Sequence, residues 1–352
     1  MLFIRRTNEH IQIWEGWKYS IEEAKEASGI ENIRYIEDFE TVFRFLVSHT
    51  DQIFLDFNEH DRNALYLETP AHTFAHRLQK QYPAHAIRRA APILEAQRMI
   101  KSEWEIKQLQ VACDITEKGF RRVLKSIRPG MFEYEVEADL LHEYIRNAAT
   151  GPAYGSIIAA GRNACVLHYT LNNRKMEDGE LLLMDAAAEY GNYSADLTRT
   201  VPVNGKFSPR QKAVYQSVLK VMRYAMSMLV PGNQLDSYHE KVGEAMTEEL
   251  LQLGLLTTDD VKKQTKSNPA YKKYFMHGTS HFLGLDTHDV GDRFTTFRPG
   301  MVFTCEPGIY ILEEGIGIRI ENDILITETG NRDLMATIPI EAEEIEALMA
   351  DR

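Results

Sequence analysis

The chemistry of this chain starts with two aspartates eleven residues apart. Asp185 closes the apolar run of residues 181–184, and Asp196 sits in Ser-Ala-Asp-Leu-Thr-Arg-Thr. Between them Tyr190, Gly191 and Asn192 form a turn signal, so the stretch reads as a hairpin with one aspartate on each arm. A carboxylate ending a buried strand is unfavourable unless a cation meets it. Two facing each other at roughly 4 Å repel by about 1 kcal/mol in water and about 4 kcal/mol at an effective dielectric of roughly 20. A divalent metal ion would neutralise both.

A second acidic pair stands further along. Glu306 lies in Phe303-Thr304-Cys305-Glu306-Pro307-Gly308 and Glu321 in Gly317-Ile318-Arg319-Ile320-Glu321, with a turn at Glu313-Glu314-Gly315. Three of the chain's 12 histidines, His277, His281 and His288, fall within twelve residues. The spacing of His277 and His281 is that of a helical zinc pair, but Gly278 stands where a zincin carries its general-base glutamate. Gly278 and Gly284 favour a strand or loop. The residues therefore fit one histidine on metal and two beside a substrate.

These groups must be positioned by a repeated unit. Ile106, Leu109, Cys113, Phe120, Leu124 and Ile127 define one face of a long helix that stops at Arg128-Pro129-Gly130. A second helix follows over 134–149. Ser208-Pro209-Arg210-Gln211 starts another helix with a capping box and a proline at its first position. That helix stops at Val230-Pro231-Gly232, and one more spans 235–250. A shift of 102 places Gly130 on Gly232, Ile127 on Leu229 and Phe120 on Met222. Two helices and an acidic hairpin thus occur twice, which brings four carboxylates face to face. The fold class is α+β with an internal pseudo-two-fold duplication.

The N-terminal part, residues 1–96, reads as a small α/β domain ahead of a larger one, 97–352. Residues 11–14 and 52–55 are expected as strands. Residues 20–27, capped by Ser20, 38–47 and 72–81 are expected as helices. About ninety residues is small for an independent core, so this part should pack on the larger domain or on another subunit.

Composition narrows the classes. A net charge of −12 argues against a nucleic-acid binder. Three cysteines without CxxC spacing point to a reducing compartment. No apolar run approaches the ~18 residues of a membrane span, and MLFIRRTNEH turns polar too soon for a signal peptide. The expectation is a cytoplasmic protein with no nucleic-acid or membrane partner.

With these residues in place the sequence resembles the pita-bread metallopeptidases, and among them aminopeptidase P. The matching phrases are Met184-Asp185-Ala186-Ala187, Asp196-Leu197-Thr198-Arg199-Thr200, His277-Gly278-Thr279-Ser280-His281, Thr304-Cys305-Glu306-Pro307-Gly308 and Ile318-Arg319-Ile320-Glu321. The resemblance implies a pita-bread catalytic domain whose metal ligands are Asp185, Asp196, His281, Glu306 and Glu321. Glu306 also becomes the general base. His288 and His168 are implied to hydrogen-bond the substrate and His277 to line the pocket beyond the scissile bond. Arg319 and Tyr310 are implied to orient ligand carboxylates, and Trp14 to reach a proline pocket, in its own or a neighbouring subunit. The family's N-terminal domain is longer, and the likeness begins near Arg5-Arg6, so the domain here is expected to be short. A homo-oligomer, dimer or tetramer, is expected.

Four carboxylates and one imidazole form a hard donor set suited to two divalent ions, with manganese the family's usual activator and cobalt or zinc compatible. A hydroxide held between two ions would attack, and one ion would polarise the scissile carbonyl. Three activities remain open. One is an Xaa-Pro aminopeptidase acting on peptides with proline at position two, and another a prolidase restricted to dipeptides. The third is a non-catalytic binding protein of the same fold, against which the complete ligand set counts. Thr279-Ser280 ahead of His281 favours the first over the second. Methionine aminopeptidases are a more distant relation.

Overall fold

In the structure, a computed structural model, residues 1–57 and 68–351 are described. The chain divides into two compact units, Met1–Ile93 and Leu94–Arg352.

The first unit carries β1 (Leu2–Ile4), α1 (Glu9–Glu15), α2 (Ile21–Ser28), β2 (Ile33–Tyr35), α3 (Phe39–Val47), β3 (Gln52–Leu55), α4 (Pro70–Gln81) and β4 (Ala86–Arg89). Strands β1 and β2 pair in parallel, as do β3 and β4. Ser20 caps α2 through a capping box with Glu23. The strand expected at 11–14 is helical instead. Asn8 accepts the amide of Ile11 at 2.9 Å, and Gly16 at φ 79° ends the segment, so two local caps override the β-favouring Ile-Gln-Ile-Trp composition.

A connecting helix α5 (Ala91–Met99) leads to the second unit, which opens with α6 (Glu103–Ser126) and α7 (Glu133–Arg146). Then come β5 (Gly151–Pro152), β6 (Ile157–Ala160), β7 (Leu181–Asp185), β8 (Ala188–Tyr190), β9 (Tyr193–Ser194) and β10 (Thr198–Pro202). The second half runs through α8 (Pro209–Met228), α9 (Leu235–Gln252), α10 (Thr258–Lys263), β11 (Val302–Cys305), β12 (Gly308–Ile311), β13 (Ile316–Arg319), β14 (Asn322–Ile326), β15 (Asn331–Asp333) and α11 (Ala342–Ala350).

The expected repetition is visible in this order. Helices α7 and α9 begin 102 residues apart, at Glu133 and Leu235. Strand β7 lies between β10 and β6, all antiparallel. In the second half β14 lies between β11 and β15, and Phe282 bridges to Phe303 on the other side of β11. Each ladder continues into a tip hairpin, β8 with β9 and β12 with β13. The α6 face buries Leu109, Cys113, Phe120, Leu124 and Ile127, and the β7 run 181–184 is buried on both sides. Each such Leu, Ile, Val or Phe contributes about 1.5–3 kcal/mol on burial.

Asp196 differs from expectation in one respect. It is not on a strand arm but in the gap between two ladders. The β7–β10 register ends at Asp185 opposite Thr198. One further bond joins the amide of Ala186 to the carbonyl of Leu197 at 3.0 Å, and the arms next meet where the amide of Ala195 reaches the carbonyl of Ala188 at 3.1 Å. The amide of Asp196 is drawn away to Asp323 Oδ2 at 3.0 Å, so it cannot serve the ladder. The amide of Glu321 likewise crosses to the carbonyl of Thr198 at 3.1 Å. Backbone bonds thus lock the two halves together at the acidic residues themselves. Among the described residues no helix is long and apolar enough to cross a membrane.

Candidate metal centre and active site

Five side chains from the two halves converge beside the ladder breaks. Asp185 ends β7 and Asp196 precedes β10 by two residues. Glu306 follows β11 and Glu321 precedes β14, each by one residue. His281 comes from the loop bridged to β11, where its amide bonds Thr304 Oγ1 at 3.2 Å and the amide of Thr304 returns to its carbonyl at 3.0 Å. One ligand atom each of Asp196, His281 and Glu321 lie within 4.8 Å of one another. His281 Nε2 is 3.4 Å from Asp196 Oδ2 and 3.5 Å from Glu306 Oε1.

A second ring of groups aims these carboxylates. Arg319 donates from Nη2 to Asp185 Oδ2 at 2.6 Å, from Nη1 to Tyr310 at 2.8 Å and from Nε to Thr198 Oγ1 at 3.0 Å. Thr198 donates its hydroxyl hydrogen bond to Glu321 Oε2 at 2.6 Å. Tyr310 meets His277 Nε2 at 2.8 Å, and His277 Nδ1 lies 3.7 Å from Glu306 Oε2. The rings of His281 and His288 sit edge to face with centroids 4.3 Å apart. His168 is exposed on the loop before Tyr169. Trp14 lies on α1 of the first unit and is exposed.

Electrostatics in this cluster is dominated by burial. It lifts Glu306 to about 7, assisted by Asp196 and Asp185 and opposed by His281 and Arg319. Asp185 and Glu321 are raised for the same primary reason, Glu321 the further because Asp196, Glu306 and Asp185 surround it. Burial alone would lower His281, but Asp196 and Glu306 outweigh it and raise the imidazole to about 9. His277 behaves in the opposite way. Burial, then Arg319, push it down to about 3. His277 is therefore a neutral hydrogen-bonding ring at pH 7.

Sequence reading missed three contributors. The Tyr154 hydroxyl lies 2.6 Å from both Asp185 Oδ1 and Asp196 Oδ1 and has one proton to donate between them. Nothing around a lone Tyr in Pro-Ala-Tyr-Gly announces this. Thr198 stands in the quoted phrase after Asp196, yet its hydroxyl bond to Glu321 needs the second half to be visible. Asp323 is fully buried and receives the amide of Asp196 together with the thiol of Cys113 at 3.4 Å. Its position two residues after Glu321, on the same face of a strand, is the only signal the sequence offers.

The donor set fits divalent cations. Arg319 answers Asp185, but Glu321 has only a neutral hydroxyl, and Glu306 and Asp196 share one imidazole. Four buried carboxylates lack matching positive charge, and hard oxygen donors with one histidine suit two such ions.

The duplicated hairpins and this acidic cage define a pita-bread metallopeptidase. Residues 107–328 match Metallopeptidase family M24, and residues 1–54 match the Aminopeptidase P, N-terminal domain. The Xaa-Pro aminopeptidase of Haemophilus influenzae is 39% identical over 99% of this chain and 81% of its own length. That of Escherichia coli is 37% identical over 99% of this chain and 82% of its own length. Among solved structures, proline aminopeptidase P II from Yersinia pestis superposes with a TM-score of 0.87 at 36% identity, covering 100% of this chain and 84% of that one. A zinc-substituted Escherichia coli aminopeptidase P in complex with product gives 0.88 at 35%, over 99% of this chain and 82% of that one. The chain belongs to metallopeptidase family M24.

Proposed function

We propose that this protein is an Xaa-Pro aminopeptidase, removing the first residue of peptides that carry proline at position two. The observation that carries the reading is the convergence of Asp185, Asp196, His281, Glu306 and Glu321 on one buried cluster. The five would hold two divalent ions, manganese first and cobalt or zinc also suited to the donor set. When bound, the ions supply Lewis acidity toward the scissile carbonyl and lower the pKa of water at neutral pH.

The remaining work falls to the side chains. An Xaa-Pro bond has no N–H to donate, and its nitrogen, like that of any amide, must be protonated to leave. Glu306 can take a proton at a carboxylate oxygen and return it to that nitrogen. His277, neutral and fixed by Tyr310 at Nε2 and by the carbonyl of Gly278 at Nδ1, walls the pocket beside Glu306 without competing for the proton. His288 and His168 hold the peptide carbonyl as charge develops on it. Arg319, Tyr154 and Thr198 keep the carboxylates in place before the substrate arrives.

The test is a comparison of Xaa-Pro-Yaa, Xaa-Ala-Yaa and the Xaa-Pro dipeptide with manganese-loaded enzyme. Release of Xaa from the proline tripeptide alone, or far faster than from the others, is expected. Cleavage of the dipeptide only, or equal rates with alanine at position two, would overturn the reading.

A further inference from the structure

A buried ion-paired cluster lies behind the histidine loop, outside the metal cage. The carboxylate of Asp289 and the ammonium of Lys101 are each 1% exposed and 3.1 Å apart. Arg98 donates to both Asp289 and Asp286, the latter at 2.7 Å. Asp289 directly follows His288. Its amide returns to the carbonyl of Phe282 at 3.0 Å, so residues 282–289 form a closed loop pinned at its base. Gly284 lies against this pair so closely that a Cβ would stand 2.3 Å from Asp289 Oδ2 and 2.8 Å from Lys101 Cε. Lys101 is itself anchored, its amide bonding the carbonyl of Gly300 at 2.8 Å and the amide of Gly300 bonding that of Ile326, the end of β14, at 3.0 Å.

A buried ion pair adds little net stability over a well-packed apolar pair, but its directionality fixes orientation. Holding a loop closed needs no charges; holding one ring at a set angle benefits from them. We infer that Lys101 and Asp289, braced by Arg98, are positioning residues that aim His288 at the peptide bound in the metal site. The inference rests on the aminopeptidase reading for what His288 contacts, whereas the clamp itself acts on the loop.

The experiment uses Lys101→Met, Asp289→Asn and the double variant. It reads melting temperature, manganese affinity, kcat and KM on an Xaa-Pro-Yaa peptide, and hydrogen exchange of residues 282–290. Asp289→Asn strands the Lys101 ammonium, Lys101→Met leaves Asp289 to Arg98 alone, and each should lower the melting temperature by roughly 5 °C, much of which the double variant regains. In all three, kcat should fall about ten-fold or more with KM within about two-fold, because a misplaced contact weakens the transition state. Manganese affinity should stay within about two-fold, since no ligand is touched. Exchange in 282–290, and at Ser194, whose amide bonds the carbonyl of Gly284 at 2.9 Å, should accelerate about ten-fold while residues 181–187 and 197–202 stay unchanged. A double variant that regains both stability and kcat, or unaltered exchange in the loop, overturns the clamp. A wild-type protein inactive on every Xaa-Pro peptide overturns the functional reading instead, and loop exchange then decides the clamp alone.

Discussion

Arg319 Nη2 and Asp185 Oδ2 are 2.6 Å apart, and the bond between them crosses from the second hairpin to the first. The same guanidinium holds Tyr310 and Thr198, so one side chain sets three neighbours of the cage. Replacing Arg319 with Met keeps the volume and removes the fork. Manganese affinity measured by calorimetry should fall about 10–100-fold, as for other groups that orient ligands. Unchanged affinity would dismiss Arg319 as an organiser of the site.

Tyr154→Phe is a smaller cut. The hydroxyl shares its one proton between the two first-half carboxylates, and the ring remains to pack. Loss of a bond to charged groups amounts to about 1.5–3 kcal/mol at the site. The expected outcome is manganese affinity reduced about ten-fold, with the far-ultraviolet circular dichroism unaltered. A Phe variant that binds metal as tightly as the parent would show that the two aspartates need no bridge.

Metal removal tests the cage as a whole. Protons compete for the same atoms, because His281 is raised to about 9 and Glu306 to about 7. Binding must displace them, so manganese affinity should rise steadily from pH 6 to 8. At a free concentration of about 100 Kd, the metal should stabilise the fold by about 2.7 kcal/mol relative to chelated protein. Differential scanning fluorimetry with and without chelator measures this. A melting temperature and activity indifferent to chelator would defeat the two-ion reading.

The ligand phrases were legible in the sequence because each couples an acidic residue to an apolar strand and a turn. The duplication was legible because helix stops at Gly130 and Gly232 keep register. What the sequence hid depends on the other half of the fold. Asp196 leaves its strand only because Asp323, 127 residues on, takes its amide. Tyr154 becomes part of the site only when β5 and β6 fold against β7 and β8. The helix at Glu9–Glu15 was misread for a local reason, an Asn8 cap outweighing side-chain composition. The lowering of His277 is equally invisible in the sequence, because the depth of its burial and the nearness of Arg319 are tertiary facts.

His239 offers a pH test away from the ligands. Its Nδ1 accepts the amide of Thr279 at 3.2 Å, and burial lowers it to about 4. A base lowered on folding contributes stability that is complete above its unfolded pKa of about 6.5 and is lost as pH falls toward 4. The shift corresponds to at most about 3 kcal/mol. His239→Gln keeps an acceptor and does not titrate. Urea unfolding at pH 7 and pH 4.5 should show the variant losing less stability than the parent over that interval, every other titrating group being common to both. Equal losses would mean that His239 is not held neutral by the fold.

Gly317 tests how the second hairpin is seated. It lies in β13, two residues before Arg319, and an added Cβ would stand 2.3 Å from the carbonyl oxygen of Ala164 and 2.5 Å from its carbon. These are backbone atoms of the short helical turn Gly161–Cys165, which cannot swing aside as a side-chain tip can. That turn begins the segment leading to His168, and β13 leads to Arg319 and Glu321. Gly317→Ala must therefore push apart two elements that carry site residues from opposite halves. Overpacking of this kind costs about 1–3 kcal/mol, and the displacement should reach Arg319. The expected result is a lower urea midpoint together with kcat reduced more than ten-fold, since misplacement by about 1 Å is enough for such losses. Gly308→Ala is a useful companion, because its nearest contact is the hydroxyl of Tyr310, at 2.7 Å from the added Cβ. If Gly317→Ala leaves both stability and kcat intact, β13 and the turn before His168 are not packed as closely as the structure has them.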